Sequence, residues 1–537
     1  MVCMKLRFYG ADKEVTGSCH QLEARGKKIL IDCGLQQGGD ELDDNALPFP
    51  AGEVDCVLVT HAHIDHSGRL PLLVKNGYHG PIVATRLTCD LLRIMLMDSA
   101  RIQEMDAQWK SQKLSRAGIG PVEPLYTVAD AQAALELLQP CEYGQEIALF
   151  DGIRATFVDA GHLLGSASIL VTAREAGLTR TIAFSGDIGN TDQPIIRDPD
   201  YITAADYVVM ESTYGNRLHE GDGYTVGELA QVIDETLGRG GNVVIPSFAV
   251  GRTQELLYYI REMKSQRLVH SVPDFPVYVD SPLALEATEI YSGDLRGYAD
   301  EETIQVLQSG FQPISFSNLH LCRTSDESRL LNMDRTPKVI ISSSGMCEAG
   351  RIRHHLKHNL WRPECTILFV GYQANGTLGR LLVDGIYNIK LFGERITVRA
   401  RVVNFRGMSG HADKAGLERW INAFAPKKPR RVFVVHGEEE AALTFAETIR
   451  LQGYDPLVPD FRAVYDLSED RLADTGVPAA SLHVRAAVQR KVSPAYIRLQ
   501  QMGQRLLEVI RHNEGGANKD LNKFADQIQS LVDKWDR

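Results

Sequence analysis

The chain is 537 residues long, with 44% hydrophobic and 24% charged side chains, proportions of an ordinary globular protein. Collagen-like, low-complexity and wholly disordered classes are excluded, and at roughly 150 residues per domain the length allows about three domains. Its 58 basic residues against 69 acidic ones leave a net charge of −11. That excludes nucleic-acid binding through bulk positive charge, but not a nuclease with a local basic cleft or bound metal ions.

In chain order, residues 6–9, 19–23 and 28–32 read as short strands, and the apolar, β-branched run 54–60 reads as another. Within 88–113, Leu91, Leu92, Met95 and Leu96 recur at helical spacing. Further strands are predicted at 153–158, 167–172, 181–184 and 207–210. From about 220 to 395, helices at 226–238 and 254–264 alternate with strands at 242–245, 276–280, 338–342 and 366–370. That alternation predicts a parallel α/β sheet. After 396 the short-strand style returns, at 398–403 and 431–435.

The simplest account is an inserted α/β domain, 211–395, inside a first domain made of 1–210 and 396–465. In the remaining 466–537, Leu499, Met502, Leu506 and Val509 share one helical face. Leu521, Phe524, Ile528, Leu531 and Trp535 share another, beyond Gly515-Gly516. This predicts a C-terminal amphipathic helical extension that packs on the body of the chain or meets a second copy in a homodimer.

The nine cysteines are scattered with no C-x-x-C pair, so free buried thiols in a reducing compartment are expected. The N-terminal run lacks the apolar core of a signal peptide. No stretch approaches the about 18 uninterrupted apolar residues of a membrane span. A cytoplasmic protein with no membrane association is expected.

The most informative segment is His61-Ala-His63-Ile-Asp65-His66-Ser-Gly68, which begins where the apolar run 54–60 ends. Its clustered imidazoles and carboxylate can converge from one backbone excursion and suit zinc. A solvated polar loop is the bland alternative, and such a cluster argues against it. Three more metal-type residues follow strands: His162 in Asp159-Ala-Gly-His162, Asp187 in Ser-Gly-Asp187-Ile-Gly189, and His436 in Val434-Val-His436-Gly437. Asp32, at the end of 28–32, is placed to orient a ligand from behind.

This pattern resembles the metallo-β-lactamase fold, an αββα sandwich with two zinc ions. The resemblance implies that His61, His63 and His162 hold one ion, that Asp65, His66 and His436 hold the other, and that Asp187 bridges. It narrows to the β-CASP nucleases through Glu211 in Met-Glu211-Ser-Thr-Tyr, His411 in Ser-Gly-His411-Ala-Asp413, and His436. A histidine at the last position is the mark of the RNA-processing branch, similar to the endonuclease subunit of pre-mRNA 3′-end processing and its prokaryotic relatives. Segments 246–252, 279–284, 343–351 and 371–380 are also family-like, and the resemblance covers about 1–465.

The resemblance implies a zinc-dependent ribonuclease acting on single-stranded RNA, as an endonuclease, a 5′-exonuclease or both. A hydroxide shared by two ions would attack the phosphodiester, with Asp65 and Asp187 serving the metals. His411, unclaimed by metal, is the expected general acid, with Glu211 orienting it. The bland alternatives are an Asp413-paired turn for His411 and a helix cap or surface pair for Glu211. Arg252 and Arg380, each beside a glycine, are expected substrate contacts, as are Ser247 and Tyr372. Two basic clusters, 351–358 and 395–406, offer phosphate contacts against solvated-face alternatives. The competing functions are a small ester or thioester hydrolase and a non-catalytic RNA-processing scaffold. The inserted domain and His411 argue against the first, and the full ligand set argues against the second.

Overall fold

Two sheets face each other through one apolar layer, and their strands alternate inward and outward side chains with period two. The protein is described here by a computed structural model covering residues 4–37, 45–115, 120–219, 226–371, 373, 376–405, 409–478, 502–503, 505–507, 509–513 and 518–535. It divides into two units, Met1–Ala479 and Ala480–Arg537.

In the larger unit, the first sheet runs Arg471–Asp474, Val464–Asp466, Lys5–Phe8, His20–Ala24, Lys27–Ile31, Cys56–Leu58, Ile82–Thr85 and Leu138–Cys141. The second runs Pro456–Leu457, Arg431–Val434, Tyr207–Met210, Leu178–Phe184, Ala167–Glu175, Ile153–Asp159 and Glu146–Phe150. Leu6, Phe8, Ile29, Ile31 and Leu58 from one meet Phe157, Ile169, Phe184, Tyr207 and Val209 from the other.

The strand Tyr207–Met210 shows why helices must cover the outer face. Tyr207 and Val209 point into the sandwich, while Val208 and Met210 point out. Outside they pack beneath Leu417, Trp420, Phe445 and Ile449 of helices Lys414–Asn422 and Glu439–Leu451. On the first sheet's outer side, the helix Arg86–Ser115 buries Leu91, Leu92 and Leu96. The result is the metallo-β-lactamase αββα sandwich, with an inserted β-CASP α/β sheet.

That third sheet runs Leu319–Leu321, Val277–Val279, Val339–Ser342, Val243–Pro246, Thr366–Val370 and Arg401–Phe405, and all its pairings are parallel. Its strands are near-continuous apolar runs because both faces are covered. The strand expected at 398–403, read as the return of the first domain, pairs instead with Thr366–Val370 in the inserted sheet. The inserted sheet therefore ends at Phe405. A short edge strand carries no sequence mark of which sheet it joins, because pairing is a non-local choice.

In the smaller unit, the helix Asn518–Trp535 partly covers Leu521, Phe524 and Ile528 and leaves Leu531 and Val532 exposed. Leu499, Gly515 and Gly516 lie outside the described residues. Among the described residues no helix is long and apolar enough to cross a membrane, and the described cysteines are free and buried.

Candidate metal centre and active site

Every metal-type residue found in the sequence follows the end of a strand. Lys27–Ile31 and Cys56–Leu58 are parallel neighbours, and so are Leu178–Phe184, Tyr207–Met210 and Arg431–Val434. Parallel neighbours finish at the same edge, so Asp32, the His61–His66 turn, Asp187, Glu211 and His436 are delivered together. The turn is tight: His63 caps the helix Ile64–Ser67, and Ser67 Oγ donates to the carbonyls of Ala62 and His63, both at 3.0 Å. Gly34 is required beside it, since a Cβ there would lie 1.6 Å from the Asp65 carbonyl oxygen.

The donor atoms fall into two groups that share one carboxylate. His61 Nε2 and His162 Nε2 each lie close to His63 Nδ1, at 3.1 and 3.2 Å. Both face Asp187 Oδ2, at 3.5 and 3.6 Å. On the other side, His66 Nε2 and His436 Nε2 are 3.1 Å apart and face Asp187 Oδ1 at 3.2 and 3.6 Å. Asp65 Oδ2 joins them at 3.6 Å from His436 Nε2.

Asp187 is buried, and its Oδ1 has no hydrogen-bond partner, an expensive state for a carboxylate oxygen unless a cation meets it. Burial would raise its pKa, but the surrounding imidazoles, His436 first, hold it well below the usual carboxylate range. Burial also drives His61 and His162 well below the usual imidazole value. Both rings are then neutral, the form that offers a lone pair to a metal.

The far nitrogen of each of four rings is held from behind. His66 Nδ1 contacts Asp32 Oδ2 at 2.7 Å, while Asp32 accepts from Thr60 N–H at 2.8 Å and from Thr60 Oγ1 at 2.9 Å. His61 Nδ1 contacts Thr60 Oγ1 at 3.1 Å, His436 Nδ1 contacts Thr213 Oγ1 at 3.1 Å, and His162 Nδ1 contacts the Gly410 carbonyl at 3.2 Å. Thr60 and Thr213 were not legible as site residues. Their only sequence signal is adjacency, Thr60 to His61 and Thr213 to the Glu211 motif. Such outer contacts orient metal ligands and typically carry about 10- to 100-fold in metal affinity. Asp32→Asn is therefore expected to weaken metal affinity by about that factor, checked by competition with a chromophoric chelator.

His411 sits beside this cluster rather than inside either group. Its Nδ1 lies 3.4 Å from Glu211 Oε1 and 3.9 Å from Asp187 Oδ2, and its ring packs against His162 at 4.5 Å between centroids. Asp413, its expected partner in the bland reading, instead caps the helix Lys414–Asn422 through the Gly416 N–H. Glu211 is buried and caps no helix; it accepts from the Ile188 N–H at 2.6 Å. Burial disfavours a charged His411 ring, yet Glu211, Asp187 and Asp65 outweigh it and push His411 up to about 9. Cations bound nearby would lower it again by repulsion.

The family-like segments of the inserted domain all follow C-terminal ends of its parallel strands, the edge where open α/β sheets bind ligands. There Ser281 and Ser343 bond at 2.7 Å, and Gln373 Nε2 donates to the Gly345 carbonyl at 3.2 Å. Phe248 stands half exposed beside Gly345. Ser247 is buried and accepts from Thr253 Oγ1 at 3.1 Å. Arg252 pairs with Glu255, both largely buried. Arg380 is more exposed and pairs with Asp384 at 2.9 Å. Tyr372 lies outside the described residues. From the first basic cluster, Arg351 and His355 are absorbed by the buried Asp280, at 2.7 and 2.6 Å, so they face a carboxylate and not solvent.

Three family descriptions match the chain: a metallo-beta-lactamase superfamily domain over residues 21–183, a Beta-Casp domain over 253–382, and a Zn-dependent metallo-hydrolase RNA specificity domain over 395–459. The chain is 38% identical over 453 residues to Ribonuclease TTHA0252 of Thermus thermophilus, covering 84% of this chain and 97% of that one. It is 32% identical over 450 residues to an RNase J-like protein of Methanocaldococcus jannaschii, covering 83% and 95%. It is also 32% identical over 462 residues to the Transcription termination factor FttA of the same organism, covering 83% and 69%.

Proposed function

The chain belongs to the β-CASP family of metallo-β-lactamase-fold hydrolases, and on that footing we propose that it is a zinc-dependent ribonuclease with His411 as general acid. The observation that carries this reading is the division of Asp187, one oxygen toward each histidine group. The residues fit two zinc ions. Nitrogen and carboxylate donors suit that metal, and a tetrahedral ion bonded at about 2.0–2.1 Å sets neighbouring donors about 3.3–3.4 Å apart. The separations of 3.1–3.6 Å bracket that value.

In this reading His61, His63, His162 and Asp187 hold one ion, and Asp65, His66, His436 and Asp187 hold the other. Bound there, zinc supplies Lewis acidity and a nucleophile at neutral pH. Glu211 accepts from His411 Nδ1 and leaves Nε2 to carry the transferable proton. That proton goes to the 3′-oxygen as its bond to phosphorus breaks. Arg380, on the rim of the inserted sheet, meets the phosphates of a single RNA strand, while Ser247 and Arg252 shape the turn beside it. Tyr372 is assigned to stacking on a base.

The test is incubation of purified protein with 5′-labelled and 3′-labelled single-stranded RNA, with and without chelator, beside zinc analysis. Chelator-sensitive cleavage, restored by zinc, with two ions per chain is expected. One ion or fewer after saturation, or cleavage indifferent to chelator, would count decisively against the reading. Release of mononucleotides from the labelled 5′ end marks exonuclease action, and internal fragments mark an endonuclease.

A further inference from the structure

Two basic segments distant in sequence lie side by side in the fold. The helix Ile352–Asn359 turns His354 and His358 outward, and the exposed Trp361 follows it. Along it runs the hairpin of strands Asn388–Leu391 and Glu394–Thr397. His354 stacks on the exposed Phe392, with centroids 4.4 Å apart and rings 20° from parallel. Lys357 pairs with Glu394 at 2.6 Å. The Arg399 and Ala400 N–H groups then donate to the Leu360 carbonyl, at 2.8 and 2.9 Å. Taken in order, these contacts make the helix and the second strand run in the same direction, so their exposed side chains form one strip. From His354 to Trp361 the strip rises about 10 Å at the helical pitch.

Its charge is unbalanced. Lys390 and Arg395, both exposed, face each other directly across the hairpin, an arrangement that destabilises a bare pair of strands. Arg335 lies over Trp361 at 5.8 Å, and Arg353 lies over Phe392 at 5.4 Å. Among the described residues no carboxylate pairs with Arg335, Lys390, Arg395 or Arg399. Two carboxylates stand nearby, Glu394 paired with Lys357 and Glu364 within electrostatic reach of Arg335, and neither pairs with Lys390, Arg395 or Arg399. Burial first, and then neighbouring positive charge, also holds His354 and His358 below the usual imidazole value.

Uncompensated cations that track a backbone, beside exposed rings that accept a base, are the chemistry of single-strand nucleic-acid binding. We propose that this strip is a second RNA-contact surface, outside the catalytic site, that holds the single strand of a long substrate. The proposal rests on the ribonuclease reading for the choice of RNA. Its His354 end follows the 343–351 turn at the C-terminal edge of the inserted sheet. Its Trp361 end reaches the opposite edge, where the Arg401 N–H meets the Cys365 carbonyl at 3.0 Å. The held strand therefore leads away from the active-site edge.

Two variants test it, Arg335→Gln/Arg395→Gln/Arg399→Gln and Phe392→Leu/Trp361→Leu, chosen at positions remote from the metal ligands. Anisotropy in chelator measures binding of RNAs of about 30 and about 6 nucleotides, the shorter being too small to span both sites. Cleavage of both is measured with zinc. The charge variant is expected to weaken long-RNA binding about tenfold or more. It should also flatten the slope of log affinity against log salt by about 2, since each lost phosphate contact carries about 0.7. The ring variant is expected to weaken it about tenfold at unchanged slope. Neither should alter cleavage of the short RNA.

Unchanged long-RNA affinity in both variants overturns the proposal, and so does an equal loss on both lengths. A ring variant that binds RNA like the wild type, while polyglutamate displaces RNA from the wild type, assigns the strip to an acidic protein instead. If the wild type cleaves nothing yet shows these length-dependent losses, the ribonuclease reading fails and the strip stands.

Discussion

Asp187→Ala is expected to lose both zinc ions together and to reduce RNA cleavage to the level of chelator-treated protein. The reason is geometric. Oδ2 faces His61 and His162, and Oδ1 faces His66 and His436, and among the described residues no other serves both groups in the same way. The group is also the buried negative charge among five inward-facing imidazoles. Without it two dications would sit a short distance apart with Asp65 as the remaining carboxylate of the two ligand groups, and their repulsion is strong where water is excluded. Asp187→Asn is expected to fail similarly, because an amide presents an oxygen to one ion and N–H groups to the other. Zinc content and cleavage rate are measured on one preparation of each variant. Retention of two ions by Asp187→Ala would remove it from the bridging position.

His411→Ala is expected to keep both ions and lose about 10²–10⁴-fold in cleavage rate, the usual worth of a positioned general acid. The ring lies 3.4 Å from Glu211 and 3.9 Å from Asp187 through Nδ1, beside the ligand groups. Asp187, Glu211 and His411 do offer donor atoms within 4.8 Å of one another, so the two outcomes separate cleanly. Loss of zinc in this variant would move His411 into a coordination shell. Near-normal cleavage would refute the acid assignment. Retained zinc with a large rate loss is the result that an acid requires.

The residue types and much of the layering of this protein were determined by its sequence alone. The His61–His66 cluster is contiguous, so its spacing carries its chemistry. Strand-end position also marked His162, Asp187 and His436, because an apolar run that ends in a polar residue near glycine is a local pattern, and the resemblance added Glu211. Strands alternating with helices announced the parallel sheet, while the sandwich was implied by the resemblance that the metal-type residues carry.

Tertiary structure alone decided the partnerships. The split of Asp187 between two histidine groups depends on which strands end side by side. The support of His61 by Thr60 and of His436 by Thr213 depends on side-chain reach across a turn or between strands. Arg351 and His355 looked like phosphate contacts until Asp280, just past the end of the strand Val277–Val279, absorbed them. Arg401–Phe405 looked like the first domain until it paired with Thr366–Val370. Hydrogen-bond partners, strand register and charge compensation join residues tens to hundreds of positions apart. Local periodicity and residue type hold no record of that distance.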